Sequence, residues 1–251
     1  MSKYKKIIVA GPLVVEAVYP APSPRDSNAV RAGKKRLSSE AQHRMNLQYC
    51  YQKLELEVAA NFGVKDLYAT FTYDDDHLPK TRKAAIARIQ YFWRKLREAR
   101  GVRGQEARYI YVTESKHGDG RLHHHVLLNS TGADYALIQR LWRYGRVEYR
   151  QIRVDKEKNF ETLARYLCKE QRETVGQRLW STSRNLHKPE VETFRVPDDT
   201  SILPPPNAAI VFEDTGDRTT LYGHYRYIKF LAYGWRQQPK PKVKRTRKRK
   251  K

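Results

Sequence analysis

The chain has 251 residues, 39% of them hydrophobic, which is enough for a buried core and excludes a wholly disordered protein. Lysine and arginine total 50 against 27 acidic residues, a formal charge of +23, and this excess calls for a polyanionic partner because each neutralised phosphate releases counterions. Two cysteines, Cys50 and Cys168, exclude a disulfide framework and a four-cysteine zinc site. Ten of the basic residues fall in 236–251, a stretch with no acid; taking them from +23 leaves +13 on residues 1–235, so the part expected to fold is itself basic.

Near the start, Lys3, Lys5 and Lys6 precede an apolar run. Gly11-Pro12 breaks that run, Glu16 ends it, and no small-x-small cleavage site follows, so it reads as a strand pair rather than a signal peptide. No stretch approaches the length of a membrane span, and the cytoplasm is the expected location. Residues 20–37, with Pro20, Pro22, Pro24 and a basic cluster, read as a loop. A helix is expected from Ser39, with Gln42 in the capping-box position and Leu47, Tyr51, Leu54 and Val58 on its apolar face. Asp66 to Tyr73 is aromatic and β-branched and reads as a strand, followed by a turn at Asp74, Asp75, Asp76 and His77. That acidic cluster reads as a solvated turn.

Thr81 to Arg100 reads as a helix with Ile86, Ile89, Trp93 and Leu96 on one face. Arg82, Arg88, Arg94, Arg97 and Arg100 are expected mostly off that stripe, as a charged solvated face. Ala107 to Glu114 and Leu122 to Asn129 read as two strands of a hairpin around Gly118 and Gly120. A helix from Asp134 to Tyr144, a strand from Arg146 to Val154 and a helix from about Phe160 to Glu173 complete a β-α-β-β-α-β-α order. That order predicts an α+β domain, an antiparallel sheet of about five strands covered by helices on one face. Beyond Pro204-Pro205-Pro206, Ile210 to Glu213 and Thr219 to Tyr233 read as a β-hairpin whose aromatics either pack or stack on bases. The expected organisation is an extended segment over 1–37, the main domain over 38–190, a β extension over 191–235 and a basic tail over 236–251.

His123, His124 and His125 are consecutive in a predicted strand, so His123 and His125 share one face and His124 takes the other. Glu114 ends the preceding strand, and a closed hairpin carries its carboxylate across to the two imidazoles. Two imidazoles and a carboxylate form an open site suited to Mg²⁺ or Mn²⁺ with positions left for a phosphate oxygen. Tyr166 borders the stripe marked by Leu163 and Leu167, and Lys169 follows about 60° round the helix, where its ammonium can favour a tyrosinate or hold a phosphate. These parts together specify attack of a phenolate on a metal-polarised phosphodiester. Taken singly they are weak: the chain has 17 tyrosines.

The strand Leu122 to Asn129 resembles the His-hydrophobic-His motif of HUH endonucleases, with Glu114 at the place of their third ligand, and Arg165 to Glu170 resembles their Tyr-x-x-Lys motif. Ala69 to Tyr73 resembles the first motif of rolling-circle replication proteins. Asn61-Phe62, Leu141-Trp142 with Gly145-Arg146-Val147, and Ser183 to Leu186 with Pro189 are similar to the gene-II-type replication branch of phages and mobile elements. The resemblance spans roughly residues 30–190. It implies an RRM-like sheet bearing the metal site, with Glu114, His123 and His125 as ligands, Tyr166 as nucleophile and Lys169 in support. It also implies nicking and religation of single-stranded DNA at an origin in a bacterial host, with helicase and polymerase as partners. Some initiators carry a second tyrosine one helical turn away; Thr162 and Glu170 stand there, so this chain resembles a single-tyrosine enzyme. Arg165, Arg184 and the tail residues Lys240, Lys242, Lys244, Arg245, Arg247, Lys248 and Arg249 are the expected DNA contacts. A single-strand transposase or relaxase, and a non-catalytic DNA-binding regulator on the same fold, are the alternatives.

Overall fold

The structure is a computed structural model. It describes residues 3–20, 40–115, 120–155, 159–168, 178–197, 199–214, 219–220 and 223–232. The expected Ser39 cap, the 20–37 loop beyond Pro20, the turn at Thr215-Gly216-Asp217 and the basic tail lie outside those residues. The chain divides into two units, Lys34–His187 and a second formed by Met1–Gly33 with Lys188–Lys251. No helix among the described residues is long and apolar enough to cross a membrane.

The second unit begins with strands β1 (Lys3–Ala10) and β2 (Leu13–Pro20), paired in register from Lys3 opposite Pro20 to Ala10 opposite Leu13. Gly11 takes a φ of 59° at the first position of the two-residue loop, and Pro12 fixes a negative φ at the second. That sign pattern suits a tight hairpin and supports the expected strand pair. Later in the chain come β8 (Glu190–Val196), β9 (Ala209–Asp214), the two-residue pair β10 (Thr219–Thr220) and β11 (Gly223–His224), and β12 (Arg226–Leu231). The sheet order is β8-β1-β2-β12-β9, all antiparallel, so the chain's first hairpin and its late strands form one sheet. Ile7, Val14, Ile228 and Phe230 make its core, and Phe230 is core rather than a stacking surface.

The larger unit holds α1 (Glu40–Asn61), β3 (Leu67–Phe71), α2 (Arg82–Gly101), β4 (Tyr109–Glu114), β5 (His123–Leu128), α3 (Asp134–Leu141), β6 (Val147–Gln151), α4 (Glu161–Leu167) and the short β7 (Ser181–Thr182). The α+β class and the element order follow the sequence expectation. The sheet runs β6-β3-β5-β4-β7, antiparallel throughout. Alternation along β3 sends Leu67, Ala69 and Phe71 to one face, where Tyr109, Tyr111, Val126 and Leu128 meet Ile89, Phe92, Trp93 and Leu96 of α2 and Leu137 and Ile138 of α3. Trp93 stacks on Tyr109 with ring centroids 3.8 Å apart. Burying aromatic and aliphatic groups of this size contributes about 1.5–3 kcal/mol each. Helices occupy the second face too, since the Tyr166 ring of α4 packs on β3 and β5, and α1 runs against α4. The expectation of helices on one face therefore gives way to a sheet with a helix over each.

Thr81 caps α2, its hydroxyl accepting from the Ala84 N–H at 3.1 Å. α3 is shorter than predicted: at Trp142 the backbone turns extended, the indole enters the core, and its Nε1 donates to the Thr72 carbonyl at 3.0 Å. Gly145 then passes so close to Thr72–Asp74 that an added Cβ would lie 2.5 Å from the Thr72 oxygen.

Two polar groups stand inside the apolar layer. Arg100, expected on the solvated face of α2, is fully buried and pairs with Asp134 at 2.6 Å. It also donates to Asn129 Oδ1 at 2.9 Å and to the Asn129 and Glu106 carbonyls at 3.0 Å each. His124 is fully buried between the Tyr73 hydroxyl, 2.7 Å from Nε2, and Thr113 Oγ1, 2.9 Å from Nδ1. Burial, with His123, Arg82 and His125 adding repulsion, pushes His124 down to about 3. Its unfolded pKa is near 6.5, so the unfolded chain binds one more proton between those values. The stability His124 confers is complete above pH 6.5 and is lost as pH falls towards 3. Urea unfolding at pH 7.5 and pH 5 is expected to differ by about 2 kcal/mol from this group, and His124→Gln is expected to shrink that difference. Equal pH sensitivity in wild type and variant would remove His124 as its source.

Candidate metal centre and active site

The hairpin register places Glu114 directly opposite His123 and Val112 opposite His125, so Glu114, His123 and His125 share the face that His124 does not. Glu114 is fully buried, and its Oε2 lies 3.6 Å from His123 Nε2 and 3.4 Å from His125 Nε2. One ligand atom from each residue fits within 4.8 Å of the others. Both imidazoles are held from behind. His123 Nδ1 lies 3.0 Å from the Arg121 carbonyl, which can only accept, so Nδ1 carries the hydrogen and Nε2 keeps a lone pair. His125 Nδ1 lies 2.6 Å from the Tyr68 hydroxyl and 3.4 Å from Thr70 Oγ1. His125 Nε2 is buried with no hydrogen-bond partner among the described residues. A buried nitrogen without a proton partner, beside a buried carboxylate and a second imidazole lone pair, is a donor set that fits a divalent cation. Two nitrogens and one carboxylate are short of a closed tetrahedral zinc cage and leave coordination positions open.

Tyr166 stands beside this cluster. Its ring lies 5.3 Å from the His125 ring and 6.4 Å from that of Tyr68, both at steep angles, and it remains 44% exposed. Leu167 and Ala164 anchor α4 by burying the opposite side of the helix. Glu114, His123, His125 and Tyr166 are thus four predicted site residues that the fold brings together. Lys169 falls outside the described residues, as do Lys240, Lys242, Lys244, Arg245, Arg247, Lys248 and Arg249.

Arg165 is held on the helix surface: it meets Glu161 at 2.8 Å, donates to Gln48 at 3.1 Å and lies 4.8 Å over the Tyr51 ring. Arg184 is exposed and lines a cavity of about 630 Å³ with Lys53, Tyr109, Arg178 and Trp180. The turn after β3 is pinned by Asp74–His77 and Asp75–Arg121 contacts of 2.6 and 2.7 Å. Among the described residues, Glu114, His123 and His125 form the metal-competent cluster, and that turn forms none.

Tyr68 is the residue that sequence reasoning passed over. Its hydroxyl meets His125 Nδ1, and its ring meets that of Tyr166 edge-on. Burial, then the neighbouring Tyr166, raises its pKa well above the ordinary phenol value, so Tyr68 is a neutral hydroxyl. Strand alternation was the available signal: with Leu67, Ala69 and Phe71 inward, Tyr68 and Thr70 must face the histidines.

Residues 66–171 match the family model of replication-associated proteins of the ORF2 and gene-II-protein type. No curated protein and no solved structure matches the chain.

Proposed function

We propose, from the premise that residues 66–171 form a replication-associated domain, that the chain is a rolling-circle replication initiator. In this reading it nicks and religates single-stranded DNA at an origin through a 5′-phosphotyrosine intermediate. The observation that carries the reading is the half-exposed Tyr166 ring 5.3 Å from His125, beside a cluster competent to hold a metal. A half-exposed phenol can be reached by a strand, and a cation held by the buried carboxylate and two imidazoles would give that strand's phosphate a fixed counterpart.

Mg²⁺ or Mn²⁺ held by Glu114, His123 and His125 would supply Lewis-acid polarisation of the scissile phosphodiester. The Tyr166 oxygen attacks phosphorus in line. The bond from phosphorus to the 3′ oxygen breaks, the phenol gives up its proton, and the leaving 3′ oxygen takes one up. One phosphoester replaces another, so attack by a 3′-hydroxyl on phosphotyrosine reverses the step and religates the strand. The free 3′-hydroxyl is a primer for a polymerase, which with a helicase completes the set of host partners. Lys169, one turn beyond Tyr166, is the proposed cation for phenolate or phosphate. Arg165, Arg184 and the tail from Lys240 to Arg249 are the proposed DNA contacts, the tail through salt-sensitive, sequence-independent attraction.

The test uses labelled single-stranded DNA from the origin of the element that encodes the protein, with Mn²⁺ or with EDTA. Cleavage with Mn²⁺ is expected to leave a detergent-resistant protein–DNA adduct that peptide mass spectrometry locates at Tyr166, and EDTA is expected to prevent it. Intact binding without any adduct, or an adduct on a different residue, would overturn this reading.

A further inference from the structure

Tyr68 touches both halves of the site at once. Its hydroxyl is 2.6 Å from His125 Nδ1, and its ring stands edge-on to that of Tyr166 with centroids 6.4 Å apart. A phenol hydroxyl has one proton to donate, so a proton given to one neighbour is not given to the other. If Tyr68 donates to Nδ1, the imidazole carries its hydrogen on Nε2, the atom facing Glu114, and no lone pair remains there for a cation. If Nδ1 donates to Tyr68, Nε2 presents its lone pair to Glu114's side and the Tyr68 proton is available to the Tyr166 oxygen. Thr70 Oγ1, at 3.4 Å from the same nitrogen, is the poorer partner by distance.

We propose that Tyr68 is a positioning residue that couples the metal centre to the nucleophile: the hydrogen-bond direction that opens His125 Nε2 to a divalent cation is the one that makes Tyr166 an acceptor and seats its oxygen over the site. The inference rests on the preceding reading of Glu114, His123, His125 and Tyr166. In this relay the hydrogen bonds run from His125 Nδ1–H to the Tyr68 oxygen, and from the Tyr68 hydroxyl to the Tyr166 oxygen, leaving the Tyr166 proton to another acceptor. β3 fixes the relay from below: Tyr68 pairs opposite Leu127 in β5 and Arg150 in β6, so its backbone cannot drift. Histidine ligands are tuned in this way by the group behind their second nitrogen, and removing that group weakens metal binding about 10–100-fold.

The test compares wild type, Tyr68→Phe and Tyr68→Gln in two measurements. The first is Mn²⁺ affinity of the full chain without DNA, read by electron paramagnetic resonance. The second is the rate of single-strand cleavage at saturating Mn²⁺. Tyr68→Phe keeps the ring but removes the relay, and is expected to weaken Mn²⁺ binding about 10-fold or more and to slow cleavage even when metal is saturating. Tyr68→Gln carries an acceptor and a donor on one amide and is expected to recover part of both. Unchanged Mn²⁺ affinity in folded Tyr68→Phe overturns the proposal, and so does a cleavage rate fully restored by saturating metal. Should Tyr68→Phe not fold, a Tyr68→Gln chain with wild-type values sustains the relay, and one lacking both functions while folded overturns it. Wild type that binds Mn²⁺ but does not cleave would instead strike at the nuclease reading itself.

Discussion

Tyr166→Phe is expected to reduce both cleavage and adduct formation by at least roughly 10³-fold while the unfolding midpoint stays near wild type. The substitution deletes one oxygen from a ring that is 44% exposed, so little buried packing is disturbed. Its ring contacts with His125 and Tyr68 are edge contacts of aromatic faces and survive in phenylalanine. What is removed is the atom that would join phosphorus. A loss of that size in a chain of unaltered stability therefore separates a nucleophile from a packing tyrosine, and with 17 tyrosines in the chain that separation matters. Cleavage that persists in Tyr166→Phe would require a different nucleophile and would undo the site assignment.

Asp134→Ala is expected to destabilise the larger unit by about 3–5 kcal/mol, because it leaves the Arg100 guanidinium charged and buried without its counterion. Arginine does not escape by losing its proton: burial pushes its pKa down, but the Asp134 charge opposes this and the ordinary value is very high. Burial by itself would raise the Asp134 pKa. Hydrogen bonds from Thr131, by backbone and hydroxyl, and the Arg100 charge outweigh that and hold the carboxyl below its ordinary value. Asp134 also closes the turn before α3, with Thr131 N and Oγ1 each 2.6 Å from its carboxylate oxygens. The double variant Arg100→Met/Asp134→Leu is expected to recover much of the loss, since it removes both charges rather than one. Thermal unfolding of the three chains decides this; a single variant as stable as wild type would show that the buried pair contributes nothing.

The site was legible in the sequence where it rests on local periodicity. In a strand of three consecutive histidines, alternation alone separates His124 from His123 and His125, and closing the hairpin brings Glu114 opposite His123. Tyr68 was not singled out: alternation sets it on the face opposite to Leu67, Ala69 and Phe71, but its partner there appears only when β3 is laid beside β5. Arg100 was misjudged for a different reason. It lies four residues beyond Leu96, on the apolar stripe of α2, but its charge argued for solvent until the distant Asp134 and Asn129 were in view. In the smaller unit β8 pairs with β1 across nearly the whole chain, Lys3 opposite Val196, and no local pattern encodes such a partner.

That long-range pairing has a consequence for synthesis. The hairpin β1–β2 leaves the ribosome early, yet the strands that flank it, β8 and β12, are encoded after the entire Lys34–His187 unit. In sequence the Lys34–His187 unit is a guest inserted in a β-sheet host, and the edges of the host's first hairpin stay unpaired until the guest has been translated. Contacts of such sequence separation form slowly, and edge strands awaiting partners invite intermolecular pairing. The guest, whose strands all pair within one continuous stretch, can complete its own sheet first.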